Sequence, residues 1–179
     1  QSQPVKNAVV WLKGSKQLTS IDSHYTMSQK KRAFEPHVLA VPQGANVEFP
    51  NLDSIMHHVY SFSKTKQFEL KLYHDKPEKP IKFAQSGVVE LGCNIHDWML
   101  GYIVVVDGGI YGQTDEQGMV ELNLPEGKFT LAVWHDRFND ISTPETIDMT
   151  NNAKPLNYQL KQALLPKLEL ISDEFDDYE

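Results

Sequence analysis

Cys93 is the single cysteine of this 179-residue chain, and it opens a Cys-x-x-His-x-x-Met segment whose other two members are His96 and Met99. A lone cysteine has no partner for an internal disulfide, so its thiolate is available for other chemistry. Copper electron-transfer centres use the same three groups, with two histidines and a cysteine in a plane and a weak axial methionine. The segment therefore predicts a copper site with Cys93, His96 and Met99 as ligands.

The second imidazole of such a site must come from outside the segment, and the adjacent residues His57 and His58 offer it. They begin a run of residues that is typical of a β-strand. Successive side chains of a strand point to opposite faces, so only one of the two can reach the metal. The alternation alone does not say which.

Two other interpretations of Cys93 compete with the copper site. Most lone cysteines are small buried hydrophobic residues, but a histidine and a methionine at this spacing, with a further histidine on an earlier strand, favour metal binding. Structural zinc sites take several thiolates or imidazoles and rarely take methionine. At equal ligands copper(II) also binds more tightly than zinc.

The segments around these residues predict an all-β fold with no substantial helix. β-Branched and aromatic residues form short runs that alternate with turn residues such as Gly, Asn and Asp. The predicted strands are 38–41, 46–49, 58–62, 87–91 and 102–106. Short strands at regular spacing favour a Greek-key β-sandwich.

The stretch from residue 34 to residue 106 resembles the cupredoxins. Phe34-Glu35-Pro36 is followed, at the spacing of the plastocyanin pattern, by Val41, Gly44, Val47, Phe49 and Asn51. The Cys-x-x-His-x-x-Met loop has the length found in amicyanin and is shorter than in plastocyanin. The resemblance implies a Greek-key cupredoxin β-sandwich that binds one type 1 (blue) copper ion and carries single electrons.

In this resemblance the family's first ligand position falls on His57, and His58 takes the position that is usually Asn. That asparagine ties the two ligand loops together by hydrogen bonds, a role that a ring nitrogen of His58 can fill. The implied metal ligands are His57, Cys93, His96 and Met99. Asn51 and the backbone amide of Ile95 are candidate hydrogen-bond donors to the thiolate sulfur.

A second set of motifs follows the copper segment. Residues 114–118, Thr-Asp-Glu-Gln-Gly, and residues 124–131, Leu-Pro-Glu-Gly-Lys-Phe-Thr-Leu, resemble the carboxypeptidase-regulatory-like, or transthyretin-like, β-sandwich. The opening strand of that family, P-V-x-N-A-x-V-x-L, is found at the chain start, as residues 4–12.

These motifs predict a cupredoxin domain inserted into a second, discontinuous one. The expected limits are 21–107 for the cupredoxin domain, 1–20 and 108–165 for the regulatory-like β-sandwich, and 166–179 for an acidic tail. The competing expectation makes residues 5–12 the first cupredoxin strand. The two hypotheses differ in the strands with which Val9 and Trp11 pair.

Composition narrows the functional classes. The net charge of −7 and the pI of about 5.5 argue against a nucleic-acid binder, which needs a basic surface. No apolar run approaches the roughly 20 residues of a membrane span. The motifs of hydrolases and of phosphate-binding loops are missing from the sequence, so no enzymatic activity is predicted.

We expect a periplasmic or otherwise exported electron carrier, because copper thiolate sites are found where copper is available, outside the cytoplasm. Its partner is expected to be a cytochrome or an oxidoreductase that docks through Trp98, Met56 and His96. One alternative is a copper-binding carrier or sensor without a redox-shuttle role. Another is a cupredoxin-like structural protein with an empty site.

The remaining histidines carry weaker signals. His37 is expected to be a hydrogen-bonded structural residue, and His24 and His74 lie in polar segments and are expected at the surface. His135 stands beside Asp136 at the end of a predicted strand. This pair is a candidate for a second metal site, against the alternative of a structural histidine.

Overall fold

The computed structural model describes residues 3–16, 24–151, 155–161 and 163–167. These residues form an all-β structure, as predicted, and within them no helix is long and apolar enough to cross a membrane. The strands are β1 (Val9–Leu12), β2 (Tyr25–Thr26), β3 (Ser28–Lys30), β4 (Ala33–Glu35), β5 (Val38–Pro42), β6 (Asn46–Glu48), β7 (His57–Ser61), β8 (Phe68–Tyr73), β9 (Ile81–Lys82), β10 (Gly87–Gly92), β11 (Leu100–Val106), β12 (Tyr111–Gln113), β13 (Gly127–Trp134) and β14 (Glu145–Asn151).

The largest sheet follows the order β5-β11-β10-β7-β8. β11 lies parallel to β5 and antiparallel to β10, and β7 is antiparallel to both β10 and β8. A three-stranded sheet, β2-β6-β9, and the β3–β4 hairpin accompany it. One buried apolar cluster includes Phe49, Phe83 and Ile103, and it also contains Cys93 and Met99.

β11 is buried on both faces, because its alternate side chains enter two different cores. Ile103 and Val105 belong to the cluster that contains Cys93. Tyr102 and Val104 point the other way, into a second apolar cluster. β11 is therefore the wall between the two cores.

The second cluster is closed by a four-stranded sheet of order β12-β1-β13-β14. Val9 on β1 lies opposite Gln113 on β12 and opposite Trp134 on β13. Trp134 is fully buried, and its ring centroid is 5.5 Å from that of Tyr102 on β11. The first strand of the chain is therefore an internal strand of a sheet whose other members follow residue 110.

The pairing of β1 bears on the domain hypothesis. Val9 and Trp11 pair with strands beyond residue 110, which is the pairing that distinguishes the insertion from its competitor. The limits of the two domains and the likeness of the second sheet to a transthyretin-like sandwich stay predictions. The expected acidic tail lies outside the described residues from residue 168 onward.

Because β1 lies between β12 and β13, residues 109–179 alone lack an internal strand of their sheet and expose unpaired strand edges. We expect this fragment to show no cooperative thermal transition by circular dichroism, whereas the full chain unfolds cooperatively. A synthetic peptide of residues 3–16 should restore structure to it. The same peptide with Val9→Asp and Trp11→Asp is the matched control, and a fragment that folds cooperatively by itself contradicts the prediction.

Candidate metal centre

His57, Cys93 and His96 form a cluster of three possible ligands. One ligand atom from each residue, a ring nitrogen or the sulfur, lies within 4.8 Å of the other two. Nδ1 of His96 is 3.8 Å from Sγ of Cys93, and the ring centroids of the two histidines are 5.1 Å apart. His57 is fully buried, Cys93 is 3% exposed and His96 is partly exposed. The cluster therefore lies at the edge of the core and reaches the surface through His96.

Neighbouring strands bring these side chains together. His57 is the first residue of β7, and Cys93 directly follows β10, which adjoins β7 in the sheet. A short hairpin loop, residues 93–99, connects β10 to β11. Within it the amide of Met99 donates to the carbonyl of His96 at 3.0 Å. The ends of β10 and β11 thus fix the loop 93–99, and the start of β7 fixes His57 beside it.

Gly92, the residue before Cys93, leaves room for an aromatic ring. A Cβ at this position would lie 2.6 Å from Cζ of Tyr60, which is opposite Gly92 in the β7–β10 ladder. The rings of His58 and Phe62 flank Tyr60 on β7 and just beyond its end. Any larger residue at position 92 would push the tyrosine ring away from the strand that ends at the thiolate.

The adjacent histidines have different surroundings. Nε2 of His57 is 2.8 Å from Oδ2 of Asp53. Nδ1 is buried without a hydrogen-bond partner in both histidines, within the described part of the chain. Nε2 of His58 lies 2.9 Å from Oε1 of Glu69 and 3.3 Å from the side-chain amide of Asn94. His57 thus belongs to the cluster. His58 is paired with Glu69, and its ring lies beside Asn94 of the ligand loop.

Two further expectations have different outcomes. Met99 is buried in the same apolar cluster as Cys93, and its role as the axial ligand stays a prediction. The expectation that Asn51 donates to the thiolate sulfur is wrong. Its Nδ2 donates instead to the carbonyls of Ile55 at 2.8 Å and Tyr73 at 3.0 Å, which uses both amide hydrogens and fixes the loop before β7.

Asp53 is a site residue that the sequence reasoning missed. Burial disfavours its charge, but hydrogen bonds from the amide of Arg32, from His57 and from the amide of Lys31 outweigh burial and lower the pKa of the carboxyl below its ordinary value. The carboxylate is therefore ionised at neutral pH. The signal that could have found it is an acid four residues before a candidate ligand, within a loop.

His96 is held in the protonation state that metals require. Burial lowers the pKa of its imidazole, and the neighbouring His57 and Arg32 lower it further, against a smaller opposing effect of Asp53. The ring is therefore neutral at physiological pH, and neutral imidazole is the form that binds metals.

The remaining histidines lie outside the cluster. Nε2 of His37 is 3.3 Å from Oδ2 of Asp136, so this histidine is hydrogen-bonded, as expected. His135 is buried; it donates from Nε2 to the carbonyl of Lys6 at 3.0 Å, and its Nδ1 accepts from the amide of Arg137 at 3.1 Å. Both of its nitrogens are engaged by backbone, which makes it a structural histidine. The two histidines expected at the surface are exposed there: His24 and His74.

No family model matches the chain, and no curated protein matches it. Among solved structures, a purple cupredoxin from Nitrosopumilus maritimus is 22% identical, with 45% of this chain aligned to 98% of that one at a TM-score of 0.40. Amicyanin from Paracoccus versutus is 16% identical, covering 54% of this chain and 96% of that one at 0.39. A copper-containing nitrite reductase from Thermus scotoductus SA-01 is 26% identical, covering 57% of this chain and 25% of that one at 0.43. Since about half of the chain is unmatched in each case, we base the assignment of the site on its own side chains.

The different surroundings of the two adjacent histidines predict different effects of one substitution. His57→Asn should abolish the visible spectrum of the copper-loaded protein, because it removes a side chain of the cluster. The matched variant His58→Asn should keep the spectrum, since an amide can still bond to Asn94. Absorption and EPR spectra of the two variants measure this. Loss of the spectrum in the His58 variant and retention in the His57 variant would reverse the assignment.

Proposed function

We propose that this protein is an exported type 1 copper protein of the cupredoxin kind, which carries single electrons between redox partners. The observation that supports the proposal is the cluster of one cysteine and two histidines, His57, Cys93 and His96, in an all-β scaffold. Met99 follows in the same loop and completes the donor set expected of such a site.

The donor atoms fit copper. A thiolate is a soft ligand and imidazole suits copper well, whereas structural zinc sites are closed by four thiolate or imidazole ligands. Nδ1 of His57, like Nδ1 of His58, is a buried polar atom without a partner in the described part of the chain. Only His57 lies in the cluster with Cys93 and His96, where a metal ion would satisfy it. When bound between these residues, copper supplies a one-electron redox couple.

The chain's own residues keep the site rigid and dry. Cys93 and Met99 lie in the apolar core, where water is excluded. His57 is fixed at the start of β7 by Asp53, and within the ligand loop the amide of Met99 donates to the carbonyl of His96. A ligand set that is held in place changes little when an electron enters or leaves, which favours fast electron transfer.

The proposed docking surface surrounds His96, the partly exposed member of the cluster. Met56 is 43% exposed, Ile95 is 48% exposed and Trp98 is 36% exposed. The ring of Trp98 lies 5.1 Å from the ring of His96. Exposed apolar side chains mark interaction sites, and His96 offers an electron a short way to Cys93, whose sulfur is 3.8 Å from Nδ1 of His96. The proposed partner is a redox protein, either a cytochrome or an oxidoreductase.

A copper carrier or sensor in the same exported location is the second candidate. The burial of Cys93 and His57 favours the electron carrier, because deeply buried ligands slow the exchange of metal. Voltammetry and metal-transfer assays separate the two candidates. Fast, reversible electron exchange without loss of metal supports the electron-transfer function. Ready transfer of copper to a chelator supports the copper carrier or sensor.

If Cys93 binds copper(II) as a thiolate, the protein should be coloured. Cys93→Ala should abolish the intense visible band of the copper(II) form, because thiolate-to-metal charge transfer causes it. Met99→Leu should retain copper and shift the reduction potential, since a weak axial ligand tunes the site without holding the ion. Met119→Leu, at an exposed methionine away from the site, is the matched control. A Cys93→Ala protein that keeps the band contradicts the assignment.

The docking surface can be tested with any redox protein that accepts electrons from this one. Trp98→Ala should weaken the complex about tenfold or more, or roughly 1.4 kcal/mol, because buried aromatic anchors dominate interface energy. Phe62→Ala is the matched control, since Phe62 is 80% exposed but lies at the far end of β7 from His57. NMR line broadening that spares the residues around His96 counts against this surface.

A further inference from the structure

We propose that Asp53 is a positioning residue of the metal centre: its carboxylate holds His57 in the Nε2–H tautomer, so that Nδ1 presents its lone pair to the cluster. The inference rests on the proposed function for the identity of the metal. The hydrogen-bond geometry that supports it does not depend on which metal binds.

The contacts of the carboxylate define the tautomer. Oδ2 of Asp53 lies 2.8 Å from Nε2 of His57. An ionised carboxylate only accepts hydrogen bonds, so Nε2 must carry the proton. In the neutral ring Nδ1 then keeps its lone pair. This nitrogen is buried without a partner in the described part of the molecule, as is Nδ1 of the adjacent His58, but only the ring of His57 lies in the cluster with Cys93 and His96.

A strained turn fixes the carboxylate independently of His57. Lys31 and Arg32 are the two central residues of the β3–β4 hairpin turn, and both have positive φ, 53° and 55°. Their amides point to one side and donate to Asp53, from Lys31 to Oδ1 at 2.6 Å and from Arg32 to Oδ2 at 2.9 Å. Pairs of amides in such a turn bind anions well. The carboxylate is therefore held by the hairpin and offered to the histidine.

The backbone of Asp53 is anchored as well. Its amide donates to Oδ1 of Asn51 at 3.0 Å, and Asn51 is fixed by its bonds to Ile55 and Tyr73. The side chain of Asp53 is only 15% exposed, so water has little access to the bond with His57. A carboxylate behind a ligating imidazole orients the ring and raises its basicity. The negative charge should also favour the more positive oxidation state of a bound metal.

The tautomer can be read directly in the native, metal-free full chain. Long-range ¹H–¹⁵N correlation spectra of ¹⁵N-labelled protein distinguish protonated from unprotonated ring nitrogens. We expect a protonated Nε2 and an unprotonated Nδ1 for His57. A protonated Nδ1 overturns the proposal, whether or not Nε2 also carries a proton. This measurement needs no variant and no copper, so it stands even if the proposed function fails.

Two variants separate the hydrogen bond from the charge. Asp53→Ala removes the acceptor, and we expect its copper(I) affinity, measured by competition with a chelator, to fall about 10- to 100-fold. Asp53→Asn keeps an oxygen for His57 but loses the charge, so we expect an unchanged tautomer and a higher reduction potential.

Asp97→Asn is the matched control, because it removes the same charge from an exposed position in the ligand loop. Its His57 tautomer should match that of the native chain, and its shift in potential should be smaller than that of Asp53→Asn. A folded Asp53→Ala protein with native copper(I) affinity contradicts the inference, as does an Asp53→Asn protein with the native potential. A native chain without a thiolate–copper(II) band would instead contradict the proposed function.

Discussion

The burial of β11 on both faces is the constraint on which the rest of the structure depends. Each large apolar side chain that leaves water contributes about 1.5–3 kcal/mol, and β11 sends such side chains into two cores at once. Ile103 and Val105 pack with Cys93, and Tyr102 and Val104 pack with the four-stranded sheet. The loop that carries Cys93 and His96 ends at the start of this strand. The metal centre therefore adjoins a strand that is buried on both faces.

Support for the site also comes from elements that carry none of the predicted ligands. The β3–β4 hairpin holds Asp53 through its turn amides, and β8 supplies Glu69 and Tyr73, which fix His58 and Asn51. These contacts come from residues far from the ligands in sequence. Each of these contacts restricts the movement of a predicted ligand or of its loop. The cluster is thus defined by the packing of several strands, although two of its three members, Cys93 and His96, lie in one short segment.

The parts of the site that the sequence predicts are local ones. Cys93, His96 and Met99 share one loop, so their spacing alone groups them. The strands around them are rich in β-branched residues, which makes them recognisable. Residue order alone makes both histidines of β7 candidates. Only the structure separates them, because it brings His57 close to Cys93 and His96 and pairs His58 with Glu69 of β8.

The parts that the sequence does not predict depend on long-range contacts. Lys31 and Arg32 are unusual residues for a turn with two positive φ values, which favours Asn and Gly. Nothing local marks that hairpin, since its turn is stabilised by Asp53 from another loop. The assignment of Asn51 to the thiolate failed for a related reason: the carbonyls of Ile55 and Tyr73 compete for the same amide hydrogens. Position in the sequence indicates that Asn51 is near the site. Which acceptors its side-chain amide bonds depends on the three-dimensional packing.

The position of β1 inside the four-stranded sheet also limits the order in which the strands can pair during folding. The amide of Ala8 bonds to the hydroxyl of Thr114, a residue 106 positions later in the chain. During synthesis β1 leaves the ribosome before its neighbours β12 and β13, which emerge only after every residue of the metal cluster. Closing so long a loop is slow, and until then β1 presents unpaired edges and an apolar face. The newly made chain must therefore protect its first strand while the metal-site strands are already able to fold.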